Sequence, residues 1–282
     1  MSEIHHPIHL LSRWCLDAPL VAMGWAIWIS RVIGEGHDWN RVGALGAVVW
    51  TIYLFDRYWD TRSIAPEART SLPIRKCLKR SHRRSLVLLI SVAMLLGLVS
   101  GLRATWSIVD LGVGALLLVL VGAYAVLGIF PRRLRLPFPF KELMVGGVFA
   151  GGVFFAGYPE IASVSVILVL AAWSGLGALF FFNCLTISAA ERQYDSIADR
   201  RAFFATSKRV WPSAWRALLV FPMLSAAVIF RLGDNYFLGA ILIVAAGSQL
   251  IVSNLVLKQP KWVQPIGDLL LLVGWVALLI DA

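Results

Sequence analysis

The chain has 282 residues, 59% of them hydrophobic and 15% charged, where soluble domains average about 45–50% and about 25%. With a mean hydropathy of +0.76, so much apolar surface needs lipid rather than water around it. The net charge of +10 does not indicate nucleic acid, because the basic residues lie between apolar runs and not on one continuous face.

Nine apolar stretches follow in chain order, at about 15–33, 42–60, 85–102, 107–128, 142–158, 162–187, 215–232, 236–257 and 263–280, each near the ~20 residues of a bilayer helix. The first follows Arg13, holds Asp17 and Pro19, and lacks a small-x-small cleavage pattern, so it is expected to be retained as a helix. The second ends in Tyr53-Leu-Phe-Asp56-Arg-Tyr-Trp-Asp60. The third contains Leu86-Val-Leu-Leu-Ile-Ser-Val-Ala-Met-Leu-Leu96, whose lack of alternation excludes a β-barrel strand. The fifth is rich in small residues, Gly146, Gly147, Gly151 and Gly152, which permit close helix packing. The sixth carries Asn183, expected to make an interhelical hydrogen bond, and leads into Glu191-Arg-Gln-Tyr194-Asp195-Ser-Ile-Ala-Asp199.

The expected fold is therefore an all-α integral membrane protein, a bundle of about nine transmembrane helices forming one domain over residues 1–282. Its orientation follows from the Lys and Arg residues, of which 22 fall on one side of such a bundle and four, Arg31, Arg41, Arg103 and Arg231, on the other. The positive-inside bias then puts the N-terminus and the loops after even-numbered spans in the cytoplasm. Trp14, Trp39, Trp59, Trp106, Trp211 and Trp262 fall near span ends, where amphipathic rings anchor a helix to the interface. Cys15, Cys77 and Cys184 are too scattered for a metal or disulfide motif.

The acidic residues carry the functional signal. Asp56 and Asp60 lie four apart on one helix face, and Glu191, Asp195 and Asp199 repeat that interval after the sixth span. Both runs are expected at the cytoplasmic face. Like charges stacked along a helix repel and call for a compensating cation. Arg57, Arg62, Arg192 and Arg200 are one source of it. The other is Mg²⁺ held by carboxylate oxygens and binding a diphosphate.

This pattern resembles the UbiA-type intramembrane prenyltransferases, which have nine transmembrane helices and Asp-rich motifs on the cytoplasmic loops after the second and sixth. The family's N-D-x-x-D-x-x-x-D is matched by Asp56 and Asp60, with Ile52 and Tyr53 at its leading Asn and Asp positions. Asp195-x-x-x-Asp199 matches the second motif, and Glu191 one turn earlier could supply the missing acid. Arg69-Thr-Ser-Leu-Pro73 resembles the Arg-Pro-Leu-Pro segment that follows the first motif. Tyr124, Pro131-Arg-Arg-Leu-Arg-Leu-Pro137 and Lys141 resemble a Tyr-x-x-Pro-x-x-Leu-Lys segment, and Thr206-Ser-Lys-Arg209 lies where the family has Thr-Leu-Pro.

The resemblance implies a Mg²⁺-dependent transfer of an isoprenyl group from a prenyl diphosphate to a hydrophobic acceptor, aromatic or lipid-like, within the membrane. Asp56, Asp60, Glu191, Asp195 and Asp199 would be the metal ligands, Asp56, Asp60, Asp195 and Asp199 also serving as the catalytic set. Arg69, Arg133, Lys141 and Lys208 are the candidates for binding diphosphate oxygens, and Tyr53, Tyr124 and Tyr194 for shielding a carbocation. A terpene cyclase acting on the same kind of substrate shares the ionisation step. A non-catalytic lipid-binding or transport protein of the same fold is the reading from another class, although transporters carry polar residues and broken helices at the midplane.

Overall fold

The computed structural model describes residues 14–32, 36–63, 83–129, 139–158, 165–192, 213–232, 236–258 and 260–279. Every regular element among them is helical. In chain order they are α1 (Asp17–Val32), α2 (Trp39–Ser63), α3 (Arg83–Arg103), α4 (Ile108–Ile129), α5 (Phe140–Gly157), α6 (Val166–Ala190), α7 (Val220–Leu232, preceded by a 3₁₀ segment Ser213–Leu219), α8 (Tyr236–Lys258) and α9 (Pro260–Leu271, continued as a 3₁₀ segment Leu272–Leu279). Each expected span corresponds to one of these elements. The protein is an all-α membrane bundle, integral and multi-pass.

Six of the helical stretches are long and apolar enough to cross a bilayer by themselves. The remaining three differ for visible reasons. α1 has only 16 residues, about 24 Å of helix. α2 is longer but carries Arg41, Asp56, Arg57, Asp60 and Arg62 near its ends. α4 is apolar over the shorter stretch Ile108–Tyr124, apart from Asp110.

The helices close into a ring of neighbours. α2 packs on α3 and α5, α5 on α4 and α6, α6 on α7 and α8, α8 on α9, and the 3₁₀ end of α9 returns to α1. α1 also packs on α2 and α5, and 13 of its 16 residues are buried, so it runs through protein rather than along lipid. Such packing needs small residues, since apolar burial alone does not drive helices together in lipid. A Cβ on Gly24 would meet the Trp275 ring at 2.6 Å, and one on Gly274 would come within 3.0 Å of the Gly24 backbone. The glycines expected to serve α5 do so at three positions: Gly146 lies against the Phe181 backbone, Gly151 against Leu117 and Gly152 against Leu45, while Gly147 faces open space.

Indole and hydroxyl groups inside the bundle find backbone acceptors, as a medium without water requires. Trp25 donates to the Leu271 carbonyl at 2.9 Å and Trp28 to that of Leu238 at 3.0 Å. Trp275 donates back to Leu20 at 2.7 Å, and Ser30 to Gly157 at 2.9 Å. Near the start of α4, Ser107 and Asp110 form a reciprocal cap, backbone N–H to side-chain oxygen in both directions at 2.8 and 3.1 Å. The Asp110 carboxylate also accepts from Arg41 of α2 at 2.7 Å. The same guanidinium donates to the Thr105 carbonyl and lies 4.7 Å from the Trp106 ring centre. Trp106, expected as an interface anchor, thus also holds the α3–α4 turn, stacking on Phe155 of α5 at 5.1 Å. The outer faces of α3 and α4 expose Leu88, Met94, Leu95, Leu116, Leu118 and Val119, the surface a bilayer would cover.

Candidate functional site

One end of the bundle gathers the C-terminal ends of α2, α6 and α8 and the starts of α1, α3, α5 and α9. Side-chain contacts set this level. Trp50 donates to the Trp14 carbonyl at 2.9 Å, and the Cys15 thiol lies 3.9 Å from the Tyr53 carbonyl, fastening the entry of α1 to α2. Cys15 achieves this turn with φ of 56°, a left-handed conformation that costs a non-glycine residue energy. Arg83, opening α3, donates to the Tyr58 hydroxyl at 2.9 Å and stands 5.0 Å over its ring. Ser188, near the end of α6, donates to Glu142 in the first turn of α5 at 2.9 Å, and both are buried. Ala189 and Ala190 pack with Val252 of α8 and Val263 of α9.

The sequence-derived candidates fall as follows. Asp56 is exposed near the end of α2, and the neighbouring Arg57 is buried. Asp60 lies in the last turn of the same helix. Tyr53, one turn before Asp56, is half-buried against the main core. Glu191 is the C-cap of α6, its N–H bonded to the Ile187 carbonyl at 2.9 Å, with its side chain half-buried. Lys141 in the first turn of α5 and Tyr124 in α4 are half-buried. Arg69, Arg133, Tyr194, Asp195, Asp199 and Lys208 lie outside the described residues, as does the Asp60 side chain. Among the described residues no three His, Cys, Asp or Glu side chains meet in a metal-ligating group.

Helix dipoles give this end its electrostatic character. A C-terminus carries partial negative charge, where carboxylates are disfavoured and cations favoured. Asp60 sits at that end of α2 and Glu191 at that of α6, and the last turn of α6 contains no basic residue. Glu142, by contrast, lies at the positive N-terminal end of α5, which suits its buried carboxylate. Carboxylate oxygens are hard donors of the kind divalent cations take, and Asp56 and Glu191 lie near the ends of α2 and α6 where a cation is favoured.

Deeper in the bundle lies a polar group that sequence reasoning found only in part. Asn183 of α6 makes the expected interhelical bond, its Nδ2 donating to Asp268 of α9 at 3.1 Å. Gln264 donates to the other Asp268 oxygen at 3.2 Å, and Gln249 of α8 to the Gly267 carbonyl at 3.2 Å. Asp268 had a legible signal, an acid within an apolar span, but its partners depend on which faces of α6, α8 and α9 meet. Asp17, the acid of the first span, is buried and accepts from the Ala18 N–H at 3.0 Å.

No protein-family model matches the chain, and no curated protein sequence matches it. Among solved structures it is similar to the apo form of a UbiA homolog from Aeropyrum pernix K1, with a TM-score of 0.59 and 12% sequence identity over 94% of this chain and 99% of that one. Identity at this level speaks for fold alone, and it does so over almost the full length of both chains. The membrane bundle, with nine α-helices among the described residues, has a UbiA-type fold.

Proposed function

We propose that this protein is a membrane-embedded prenyltransferase that takes a prenyl diphosphate at the end of the bundle where α2 and α6 finish, and that this end faces the cytoplasm. The reading rests on acid-bearing C-terminal helix ends at one end of the bundle, Asp56–Asp60 on α2 and Glu191 on α6, within a fold of UbiA type. Asp56, Asp60, Glu191, Asp195 and Asp199 would hold Mg²⁺, whose charge, when bound, helps a diphosphate leave an allylic carbon.

The chain's own residues have three tasks. Lys141, at the positive end of α5, binds diphosphate oxygens together with Arg69, Arg133 and Lys208. Guanidinium groups match phosphate oxygens bidentately, whereas Lys acts as a point charge. Tyr53, half-buried beneath Asp56, presents with Tyr124 and Tyr194 aromatic faces that favour positive charge and exclude water. The prenyl tail extends among apolar helices, and the hydrophobic acceptor enters from lipid.

The test incubates purified protein with prenyl diphosphates of several lengths, with and without Mg²⁺, and follows diphosphate release and products by mass spectrometry. Wild type should release diphosphate only with metal, and Asp56→Ala and Asp195→Ala should each lose on the order of 10²–10³-fold in rate, as when a principal electrostatic stabiliser is removed. Release without metal, or none from any substrate, would overturn the reading. A cyclised hydrocarbon formed without an acceptor would mark a cyclase.

A further inference from the structure

We infer that Arg216 and Asn254 form a docking site for the headgroup phosphate of an anionic phospholipid, on the outward face of the bundle beside the start of α7 and the end of α8. Arg216 Nη2 donates to Asn254 Oδ1 at 2.9 Å, which spends one of the five guanidinium N–H groups on a neutral amide. No ion pair joins Arg216 to a carboxylate among the described residues. Its Nε is buried with no hydrogen-bond partner, and a half-buried charge without a counter-charge is unfavourable. An anion from outside the chain answers that imbalance.

The course of α8 identifies the anion as a lipid's. Its exposed residues include Tyr236, Val244, Ile251 and Asn254, whose helical spacing makes one outward stripe. Tyr236 opens this stripe, and Asn254 lies ~27 Å further along the axis at ~1.5 Å per residue, close to the ~30 Å of a bilayer's hydrocarbon core. A tyrosine at one boundary and a polar, basic pair at the other suit the two headgroup levels. Between them, Val220 and Leu224 of α7 and Val244 and Ile251 of α8 are exposed, an apolar surface for acyl chains.

Arg216 is held in place rather than swinging free. Trp215 and Leu218 pack on Phe181 and Leu185 of α6, with Trp215 meeting the Phe181 ring edge to face at 6.2 Å. These inward residues seat the 3₁₀ segment, and Asn254 holds the guanidinium against α8. A guanidinium fixed in this way loses little freedom on taking a phosphate, whose oxygens fit its planar fork. Asn254 adds a donor of its own: one amide N–H goes to the Leu250 carbonyl at 3.2 Å, and the second is left for the headgroup.

Phosphatidylglycerol is the probe, against phosphatidylcholine of the same acyl chains, whose choline already neutralises its phosphate. Native mass spectrometry of the full chain in mild detergent measures the tightest-bound lipid, and thermal unfolding in mixed micelles gives a second readout. Phosphatidylglycerol should bind about tenfold or more tightly than phosphatidylcholine and stabilise saturably. Arg216→Gln should remove that preference. Asn254→Leu, an apolar change on the outward stripe, should weaken it about 2–10-fold. Arg84→Gln, which removes an exposed charge from the start of α3, should leave it intact. Equal affinity of wild type for the two lipids, an unchanged preference in Arg216→Gln, or an equal loss in Arg84→Gln would each overturn the inference. If Arg216→Gln does not fold, full phosphatidylglycerol affinity in Asn254→Leu would overturn it. Displacement of the lipid by millimolar inorganic phosphate would show a site for a free anion and overturn the lipid assignment. No arm uses a prenyl diphosphate, so failure of the prenyltransferase reading would leave this result distinct.

Discussion

The indole N–H of Trp25 donates to the carbonyl of Leu271, 246 residues further along the chain, at 2.9 Å. Leu271 is the last residue of the α-helical part of α9, before the turn pattern tightens to 3₁₀. The indole therefore answers a carbonyl where the regular i to i+4 ladder stops. Trp25→Phe keeps most of the ring's volume and removes this donor, and is expected to cost about 1–3 kcal/mol. Trp28→Phe should cost a similar amount. Because the two rings meet edge to face at 5.2 Å, the double variant should depart from additivity. Unfolding in mixed detergent measures all three, and an unchanged midpoint for Trp25→Phe would contradict the assignment.

The α5 glycines make a sharper pair. A Cβ at Gly146 would lie 2.7 Å from the Phe181 backbone nitrogen, while one at the adjacent Gly147 meets nothing within 4 Å. Gly147→Ala should be neutral or stabilising by up to ~1 kcal/mol through helix propensity. Gly146→Ala should instead push α5 from α6 and destabilise by about 1–3 kcal/mol. Equal unfolding midpoints for the two variants would refute the close α5–α6 contact.

Arg41 and Asp110 tie α2 to the α3–α4 turn with both side chains buried. Removing one partner strands the other's charge, so Arg41→Ala and Asp110→Ala should each cost about 3–5 kcal/mol. Arg41→Lys should recover little, since an ammonium lacks the planar fork that serves the carboxylate and the Thr105 carbonyl together. Thermal midpoints of the three variants test this, and rescue by Lys would show that charge alone suffices.

If the proposed site takes a diphosphate, Lys141→Met should raise KM for a prenyl diphosphate by about tenfold or more, as expected for the loss of one charge-assisted contact. Glu142→Gln should act differently. Its carboxylate accepts from Ser188 and joins α5 to α6, so the variant should lower the unfolding midpoint and change KM little. Steady-state kinetics beside thermal melts separate the two roles, and a KM unaffected by Lys141→Met would remove that residue from the binding set.

His37, in the connection between α1 and α2, has its pKa held below the usual value, first by burial and then by the nearby Arg31 charge. As pH falls through about 6.5 the unfolded chain takes up this proton before the folded one. Stability should therefore be level at higher pH and decline as pH drops through that value toward the lower folded pKa. Midpoints from pH 8 to 5.5 for wild type and His37→Gln provide the check, the variant lacking this part of the slope. An NMR titration placing His37 above its usual pKa would reverse the sign.

Much of the fold was legible because lipid leaves so few options: each of nine apolar stretches had to be a helix, and each lies within a few residues of an observed one. The central position of α1 was not legible. Its residues are apolar all round, which reads alike for a helix among helices and a helix among lipids, and only contacts such as Trp28 to Leu238 distinguish them. At the site, the spacing of Asp56 and Asp60 and the position of Glu191 marked the negative ends of α2 and α6. The Asn183–Asp268 pair was half legible, since a polar side chain in an apolar span announces a partner without naming it. Gln264 and Gln249 carry no such signal, and only the rotation of α8 and α9 places them beside it.

The reciprocal indole bonds between α1 and α9, Trp25 to Leu271 and Trp275 to Leu20, also set an order of events during synthesis. Roughly 250 residues must be translated after Trp25 before its acceptor exists, on the order of 10–50 s at typical elongation rates. Throughout that interval the Trp25 indole lacks its final acceptor, and an insertion factor or a transient helix neighbour has room to occupy the seat that α9 later takes.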